Sequence, residues 1–377
     1  MKQHKKIKAI ISGGGTGGHI FPALSIADML MKLNPENEIL FVGAEGRMEM
    51  DRVPAAGYKI IGLPITGLQR KLSAANLALP FKVMKSLRMA RKTIKEFKPD
   101  IAIGVGGYAS APLLWAAGRL GIPTLIQEQN GYAGLTNKIL GKKAESICVA
   151  YEGMERFFPA DRIILSGNPI RKEIVPVTEE MKAEAFGFYG LDKAKKHIFI
   201  VGGSLGSGTL NNAMKKWITD GCPRGEDLEI IWQCGKYYKP ATDAFMNEAK
   251  EKGLKIGHIQ HYDFIKRMDL AYAAADVVVS RSGASSISEL CAAHKAAIFV
   301  PSPNVTEDHQ THNAMALVNK GAGMIIKDSE AQDKLMETAC GLVRDTEKIA
   351  GMEKNIALLA KRDAAETIAE EVYRIIG

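Results

Sequence analysis

Gly13-Gly14-Gly15-Thr16-Gly17-Gly18-His19 is the stretch on which the reading of this chain turns. An apolar run, Ile7 to Ile11, leads into it, and a helical pattern, Ile20 to Leu33, leads out. Strand, glycine turn and helix in that order open a βαβ unit. Five glycines leave the turn nearly bare of side chains, so backbone N–H groups at the helix start can approach an anion or a sugar. The run ends in an imidazole, which can accept a proton near neutral pH. A bare turn with a base at its rim points to a site where an oxygen-rich group is held and deprotonated. The same run fits G-x-G-x-x-G, the dinucleotide fingerprint, with Glu45 near the end of the second strand as a ribose acid. A packing turn that holds nothing is the plain alternative, as a helix N-cap neighbour is for His19.

Working outward, apolar runs alternate with helical patterns. In the first half the strands are expected at Ile7–Ser12, Glu38–Val42, Lys59–Leu63, Asp100–Gly104, Thr124–Gln127 and Ser146–Val149. Gly167-Asn168-Pro169 interrupts the pattern, and it restarts at His197–Val201, Leu228–Trp232, Lys255–Gln260, Asp276–Ser280, Ala296–Val300 and Gly323–Ile326. Such alternation implies parallel sheets covered by helices on both faces. The expected fold class is α/β, with two tandem Rossmann-like, doubly wound parallel-sheet domains facing a cleft. The boundaries are read as 1–167 and 168–361, with an amphipathic last helix, about 362–377, packing back on the first domain. Ligands of such sheets sit beyond the carboxyl ends of the strands.

At 377 residues the chain is long for one core, and 46% apolar with 24% charged residues is a globular composition. Five cysteines, without a C-x-x-C pair, indicate neither a disulfide framework nor a zinc ribbon and suit a reducing compartment. The basic start is followed by an apolar stretch too short for a signal-peptide core, and no run approaches the roughly 20 apolar residues of a spanning helix. The formal charge of +8 is unevenly placed. Leu68 to Lys98 holds nine basic residues and one acid, an excess equal to that of the whole chain. Mixed with Leu79, Phe81, Val83 and Met84, these basic residues suggest docking to an anionic membrane. A solvated helix face is the bland alternative. RNA binding is disfavoured because aromatic interleaving is nearly absent.

Further motifs would line the same rim. Gly104-Val105-Gly106-Gly107-Tyr108 closes the fourth strand, and Gln127-Glu128-Gln129-Asn130 the fifth. In the second half, Gly202 to Gly208 lacks the Lys-Ser or Lys-Thr of a Walker A loop but can hold a diphosphate through backbone N–H groups and Ser204. Ser280-Arg281-Ser282-Gly283-Ala284-Ser285-Ser286-Ile287-Ser288-Glu289 runs from a strand end into a helix start, and Glu289 can accept ribose hydroxyls. A serine-capped helix with an acid in its first turns is the alternative. Glu307 to Asn313 has no established metal-ligand spacing, whereas Gln310 and Asn313 share a helical face and can bind sugar hydroxyls. The chain has no Asp-x-Asp for a metal-held nucleotide diphosphate.

Taken in order, GGGTGGH, GVGGY, EQN, GNPIR, GGS, SRSGA with Glu289, and HQTHNA closely resemble the bacterial peptidoglycan glycosyltransferases that add N-acetylglucosamine to lipid I. The resemblance runs from about Ile7 to Ala314 and implies the GT-B fold. It implies an acceptor- and membrane-facing first domain and a UDP-sugar-binding second domain. It also implies inverting transfer from UDP-N-acetylglucosamine to lipid I, with no metal and no cofactor. On the matching residues, His19 becomes the general base. Thr16, Gly17 and Gly18 contact the donor sugar or acceptor diphosphate, and Asn130 the donor sugar. Arg171 and Ser204 meet the nucleotide and its phosphates, and Ile265 the uracil through its backbone. Ala284, Ser285, Ser286, Ile287 and Ser288 bind phosphate and sugar at a helix start, with Glu289 on the ribose. Gln310 and Asn313 hold sugar hydroxyls. Ser286 stands where the family commonly has Thr, and His309-Gln310 where it has Gln-Gln. The implied location is peripheral, on the cytoplasmic side of the cell membrane, with partners among cell-wall synthesis proteins and no nucleic acid. Three other readings stay open: a dehydrogenase using Gly13–Gly18 and Glu45, a sugar-nucleotide sensor or membrane adaptor without turnover, and a transferase of the same fold with another lipid-linked acceptor.

Overall fold

A computed structural model of the chain describes residues 4–66, 79–203, 205–305 and 308–377. The chain divides into two compact units, Met1–Arg171 with Arg362–Gly377, and Lys172–Lys361.

The first unit carries strands β1 (Lys8–Ser12), β2 (Glu38–Ala44), β3 (Lys59–Leu63), β4 (Ile101–Gly104), β5 (Thr124–Glu128), β6 (Ser146–Val149) and β7 (Ile163–Leu165). They form one sheet in the order β3-β2-β1-β4-β5-β6-β7, with every pairing parallel. Its helices include α1 (Gly17–Leu33), α2 (Glu49–Ala55), α3 (Leu79–Phe97), α4 (Ser110–Arg119) and α5 (Leu135–Gly141). Strand alternation sends side chains to both faces. Ile10 of β1 joins one apolar cluster, with Leu113 and Leu114. Its neighbours Ala9 and Ile11 join another, with Ile26, Ala27 and Leu30 of α1. Burial on both faces is why these strands read as unbroken apolar runs.

The second unit holds α6 (Glu179–Tyr189), β8 (Lys196–Val201), α7 (Gly208–Thr219), β9 (Leu228–Gln233), α8 (Lys239–Glu251), β10 (Ile259–Tyr262), α9 (Met268–Ala274) and β11 (Val277–Ser280). It continues with α10 (Ala284–Ala293), β12 (Ala297–Phe299), α11 (His309–Val318), β13 (Met324–Ile325), α12 (Ala331–Leu342) and α13 (Thr346–Ala357). The sheet order is β10-β9-β8-β11-β12-β13, again all parallel. Ile198 and Ile200 point into the cluster built around Trp217 and Trp232. Phe199, between them, faces the other way and meets Tyr272 edge-on at 5.9 Å.

The last helix, α14 (Ala364–Ile376), lies with the first unit. Ile368, Ala369 and Val372 are fully buried in the cluster beside α1. Asn37 ties the junction: its side-chain amide donates to the Tyr373 hydroxyl at 2.8 Å and to the Leu30 carbonyl at 2.7 Å, while its carbonyl accepts from the Ile7 N–H.

Two strand expectations need correction. β7 is an additional strand of three residues, too short to show a period. β10 starts at Ile259 rather than Lys255, because Ile259 N–H closes a turn onto the Ile256 carbonyl around Gly257. All five cysteines are buried and unpaired by disulfide. Burial raises each thiol, that of Cys222 to about 11 and that of Cys291 to about 12, so the reactive thiolate is suppressed.

Candidate functional site

In each sheet the chain runs outward from its first strand and then jumps back to that strand's other side. The reversal lies between β1 and β4 in the first unit and between β8 and β11 in the second. The crevice beyond the carboxyl ends of such a pair is where doubly wound sheets hold ligands. Gly13–His19 and Gly104–Tyr108 lie at the first reversal; Gly202, Gly203, Leu205–Ser207 and Arg281–Ser286 lie at the second.

At the first reversal the helix begins earlier than the sequence pattern indicates. α1 starts at Gly17, so Gly17, Gly18 and His19 form its first turn. Thr16 takes the N-cap position with extended φ −145° and ψ 159°, but its side chain makes no capping hydrogen bond, and the first turn holds no acid. The first N–H groups of a helix lack intrahelical acceptors and carry the positive end of its dipole. An anion or a sugar oxygen is suited to that place.

His19 is held by the glycine loop itself. Its Nδ1 lies 3.0 Å from the Gly14 carbonyl oxygen. A carbonyl only accepts, so this contact assigns the proton to Nδ1 and the lone pair to Nε2. The Thr16 hydroxyl lies 3.4 Å from the same Nδ1. The opposite side of the ring faces Gly106, where an added Cβ would come within 2.7 Å of Nε2. An added Cβ at Gly107 would strike the Gly14 carbonyl oxygen at 2.4 Å. The two glycine motifs of this unit thus pack on each other, and the second makes room for the imidazole. Ser110 secures the arrangement: its hydroxyl, with one proton to share, lies 3.0 Å from the Ser12 carbonyl oxygen and 2.8 Å from that of Gly106.

Behind the loop sits Glu49, fully buried at the start of α2. Its carboxylate accepts from the Gly15 N–H at 2.9 Å and from the Ala44 N–H at 3.0 Å. Sequence reasoning looked for an acid at the end of β2 and found Glu45. That residue is exposed, four positions before the carboxylate that touches the loop.

The polar cluster after β5 is largely turned inward. Gln129 donates to the Val105 carbonyl at 2.7 Å, and Gln127 donates to the Asn168 side chain at 2.9 Å. Asn168 donates back to the Gln129 carbonyl at 3.0 Å, which pins the GNP motif to the same rim. Glu128 accepts from the Asn130 and Gly134 N–H groups and from the Asn137 amide, at 3.0, 3.1 and 2.8 Å. These contacts position Asn130, which stays half-buried at the rim. Arg171 closes the unit's first stretch of chain, just before Lys172 opens the second unit.

At the second reversal, α10 begins after Gly283, which has extended φ −64° and ψ 147° and offers no side chain to cap the helix. Its first turn, Ala284, Ser285, Ser286 and Ile287, contains no acid. The hydroxyls of Ser282 and Ser285 are buried without a hydrogen-bond partner. Buried donors beside an uncapped helix start form an anion-accepting arrangement. Glu289 is buried one turn further along, with its carboxylate accepting from the Tyr272 hydroxyl at 3.1 Å. Asn313 is fully buried and donates to the Ser282 carbonyl at 3.4 Å, and Gln310 accepts from the Ser302 N–H at 2.9 Å. Both therefore brace the loops around α10. The Ile265 side chain is buried, so its backbone is what it can present. Ser204 lies outside the described residues, as do Arg70 and Lys71 of the basic segment. Tyr272 and Glu49 escaped sequence reasoning; each looks like ordinary core or helix composition until the fold places it.

Residues 9–149 match the model of the glycosyltransferase family 28 N-terminal domain, and residues 197–368 that of its C-terminal domain. The chain is 54% identical over 372 residues, 99% of each chain, to a Parabacteroides distasonis protein. That relative is named UDP-N-acetylglucosamine–N-acetylmuramyl-(pentapeptide) pyrophosphoryl-undecaprenol N-acetylglucosamine transferase. A Bacteroides thetaiotaomicron protein of the same name is 53% identical, with 98% of each chain covered. Among solved structures, that of Acinetobacter baumannii MurG aligns with a TM-score of 0.75 and 29% identity, over 98% of this chain and 100% of the other.

Proposed function

This chain belongs to glycosyltransferase family 28, and from that premise we infer that it transfers N-acetylglucosamine from UDP-N-acetylglucosamine to the C4 hydroxyl of undecaprenyl-pyrophosphoryl-N-acetylmuramyl-pentapeptide, with inversion and without a metal ion. The observation that supports this most is the match to the named relatives across both units rather than over one glycine motif. It replaces the dehydrogenase reading, whose ribose acid, Glu45, is an exposed turn residue.

The attacking C4 oxygen loses its proton to Nε2 of His19 and forms a bond to the anomeric carbon. The bond from that carbon to the UDP oxygen breaks with its electron pair, and UDP leaves. The transition state has oxocarbenium character, as in glycoside hydrolysis. A positioned base contributes about 10²–10⁴-fold. The Nδ1 contact to Gly14 suits His19 to that task, because it turns the lone pair to Nε2. Thr16, Gly17 and Gly18 offer the α1 N-terminus to the donor sugar or the acceptor diphosphate, and Asn130 reaches the donor sugar. In the second unit, the N–H groups of Ala284 to Ser286 and the Ser285 hydroxyl stabilise charge growing on the leaving diphosphate. Ser286 and Ser288 add hydroxyls on that turn, Ser204 and Arg171 meet the nucleotide phosphates, and Glu289 accepts the ribose hydroxyls. Ile265 reads uracil through its backbone. Gln310 contacts the sugar, and Asn313 supports it through the Ser282 loop.

UDP release from UDP-N-acetylglucosamine in EDTA, with and without a lipid I analogue, tests this reading. Acceptor-dependent release is expected. Donor binding without release would turn the assignment toward a sensor or another acceptor.

No helix among the described residues is long and apolar enough to cross a membrane. α3 instead exposes Phe81, Val83 and Met84 beside Lys85, Arg88 and Arg91. This face supports peripheral docking on the cytoplasmic leaflet, where each nearby basic residue contributes about 1 kcal/mol. Replacing Lys82, Lys85 and Arg88 by Glu should abolish flotation with anionic liposomes; unchanged flotation would remove this role from α3.

A further inference from the structure

The two hydrogen bonds that frame the glycine loop end on one peptide group. Gly14 C=O, which accepts from His19 Nδ1, and Gly15 N–H, which donates to Glu49, are the two poles of the same amide. The loop is shaped around that amide. An added Cβ at Gly14 would fall 2.2 Å from Glu49 Oε1, and one at Gly43 would fall 2.6 Å from Glu49 Cγ. Gly15 has φ +85°, a conformation that L side chains rarely adopt. A glycine at Gly106 leaves space for the imidazole on the far side.

We propose that Glu49 is a positioning residue for His19, acting through the Gly14–Gly15 peptide. The proposal rests on His19 being the base. A carboxylate that accepts the N–H of an amide draws the amide toward its charge-separated form, and hydrogen bonds in such chains strengthen one another. The Gly14 oxygen thereby becomes a stronger acceptor for Nδ1–H. The ring is held in the tautomer that leaves Nε2 as base, and the imidazolium formed when the acceptor proton arrives is stabilised. No proton crosses the peptide: Nδ1 keeps its own, and Glu49 remains a carboxylate. The arrangement does the work of a carboxylate–imidazole pair with a backbone amide between the partners.

Among the described residues, the loops packed on the ring, 13–18 and 104–109, carry one titratable side chain besides His19's own, Tyr108. The acid at the next strand end, Glu128, is engaged by Asn130, Gly134 and Asn137. On α2 and the turn before it, Glu45, Arg47, Asp51 and Arg52 are exposed to solvent. Among the described residues, Glu49 is thus the buried acid that reaches the peptide bonded to Nδ1.

The test uses Glu49→Gln in the full chain, with an NMR titration of the His19 imidazole and a pH profile of turnover. Removing the negative charge disfavours the imidazolium, so the His19 pKa should fall. The acid limb of kcat should move to lower pH in parallel. The plateau kcat should drop on the order of 10-fold, because a less basic Nε2 takes the acceptor proton less readily. KM for UDP-N-acetylglucosamine should change by less than about twofold, as for an interaction made in the transition state. Glu49→Asp, which keeps the charge at longer range, should lie between. In a His19→Ala background, Glu49→Gln should cost no further activity.

A Glu49→Gln protein that loses thermal stability but keeps the wild-type His19 titration and acid limb would reduce Glu49 to a structural pin. So would an equal loss of kcat in both backgrounds. Should Glu49→Gln not fold, an unshifted His19 pKa in Glu49→Asp would overturn the proposal. Wild-type turnover by His19→Ala alone would instead defeat the base reading, and the titration would still report whether the peptide couples the two side chains.

Discussion

The turn after β1 and the turn after β8 occupy the same place in their sheets and use the same building material. In both, a second glycine loop leans on the first: Gly107 on Gly14, and Gly235 on Gly206. They differ in what ends the helix that follows. α7 is closed by its own serine, since the Ser207 hydroxyl accepts the Leu210 N–H at 3.3 Å. α1 is left without a side-chain cap, and its first turn carries His19 with Glu49 behind it. In the second unit, the helix start without a side-chain cap at the reversal belongs to α10. A glycine-rich turn therefore marks where two loops must touch. The missing side-chain cap, with a titratable group close behind it, marks the helix starts we propose as ligand sites.

The strongest way to break this comparison is His19→Ala. Turnover with a lipid I analogue should fall about 10²–10⁴-fold, with binding of the UDP-sugar retained. Wild-type turnover would make the two glycine turns equivalent and remove chemistry from the first. A smaller effect is expected at the α10 end of the second unit. Glu289→Ala deletes a charged hydrogen-bond acceptor, worth about 1.5–3 kcal/mol, so the UDP affinity read by calorimetry should weaken roughly 10- to 100-fold. Unchanged affinity would remove Glu289 from the ribose site. The finest contrast lies in the caps. Ser207→Ala should lower stability to urea by about 1 kcal/mol and leave kcat alone, whereas Thr16→Ala should cost only a few tenths. Equal losses would contradict the difference in capping seen between α1 and α7.

The fold was legible because parallel strands buried on both faces leave unbroken apolar runs, and because glycines punctuate their carboxyl ends. The limits of that legibility are local. Ile163–Leu165 is too short to show a period, and Lys255-Ile256 looks like a strand start until Gly257 turns the chain. The glycine motifs and His19 could be singled out by residue type alone. Glu49 could not, since it sits 30 positions downstream of His19 in a segment that reads as an ordinary helix start. Its signal was indirect: Gly14 and Gly43 are glycines because a carboxylate fills the space a Cβ would need. Gln127 and Gln129 illustrate the converse. Polar residues at a strand end suggested ligand contacts, but burial turned Gln127 onto the GNP motif and Gln129 onto the Val105 carbonyl of the neighbouring glycine turn.

The return of α14 to the first unit has a consequence for synthesis. The second unit is an uninterrupted stretch of chain, Lys172–Lys361, whereas the first draws Ile368 and Val372 from the far end of the polypeptide. Domains fold as units while the chain emerges from the ribosome, usually in N-to-C order. Here that order is crossed: the first unit begins earliest, yet its core lacks Ile368 and Val372 until all of Lys172–Lys361 has been synthesised.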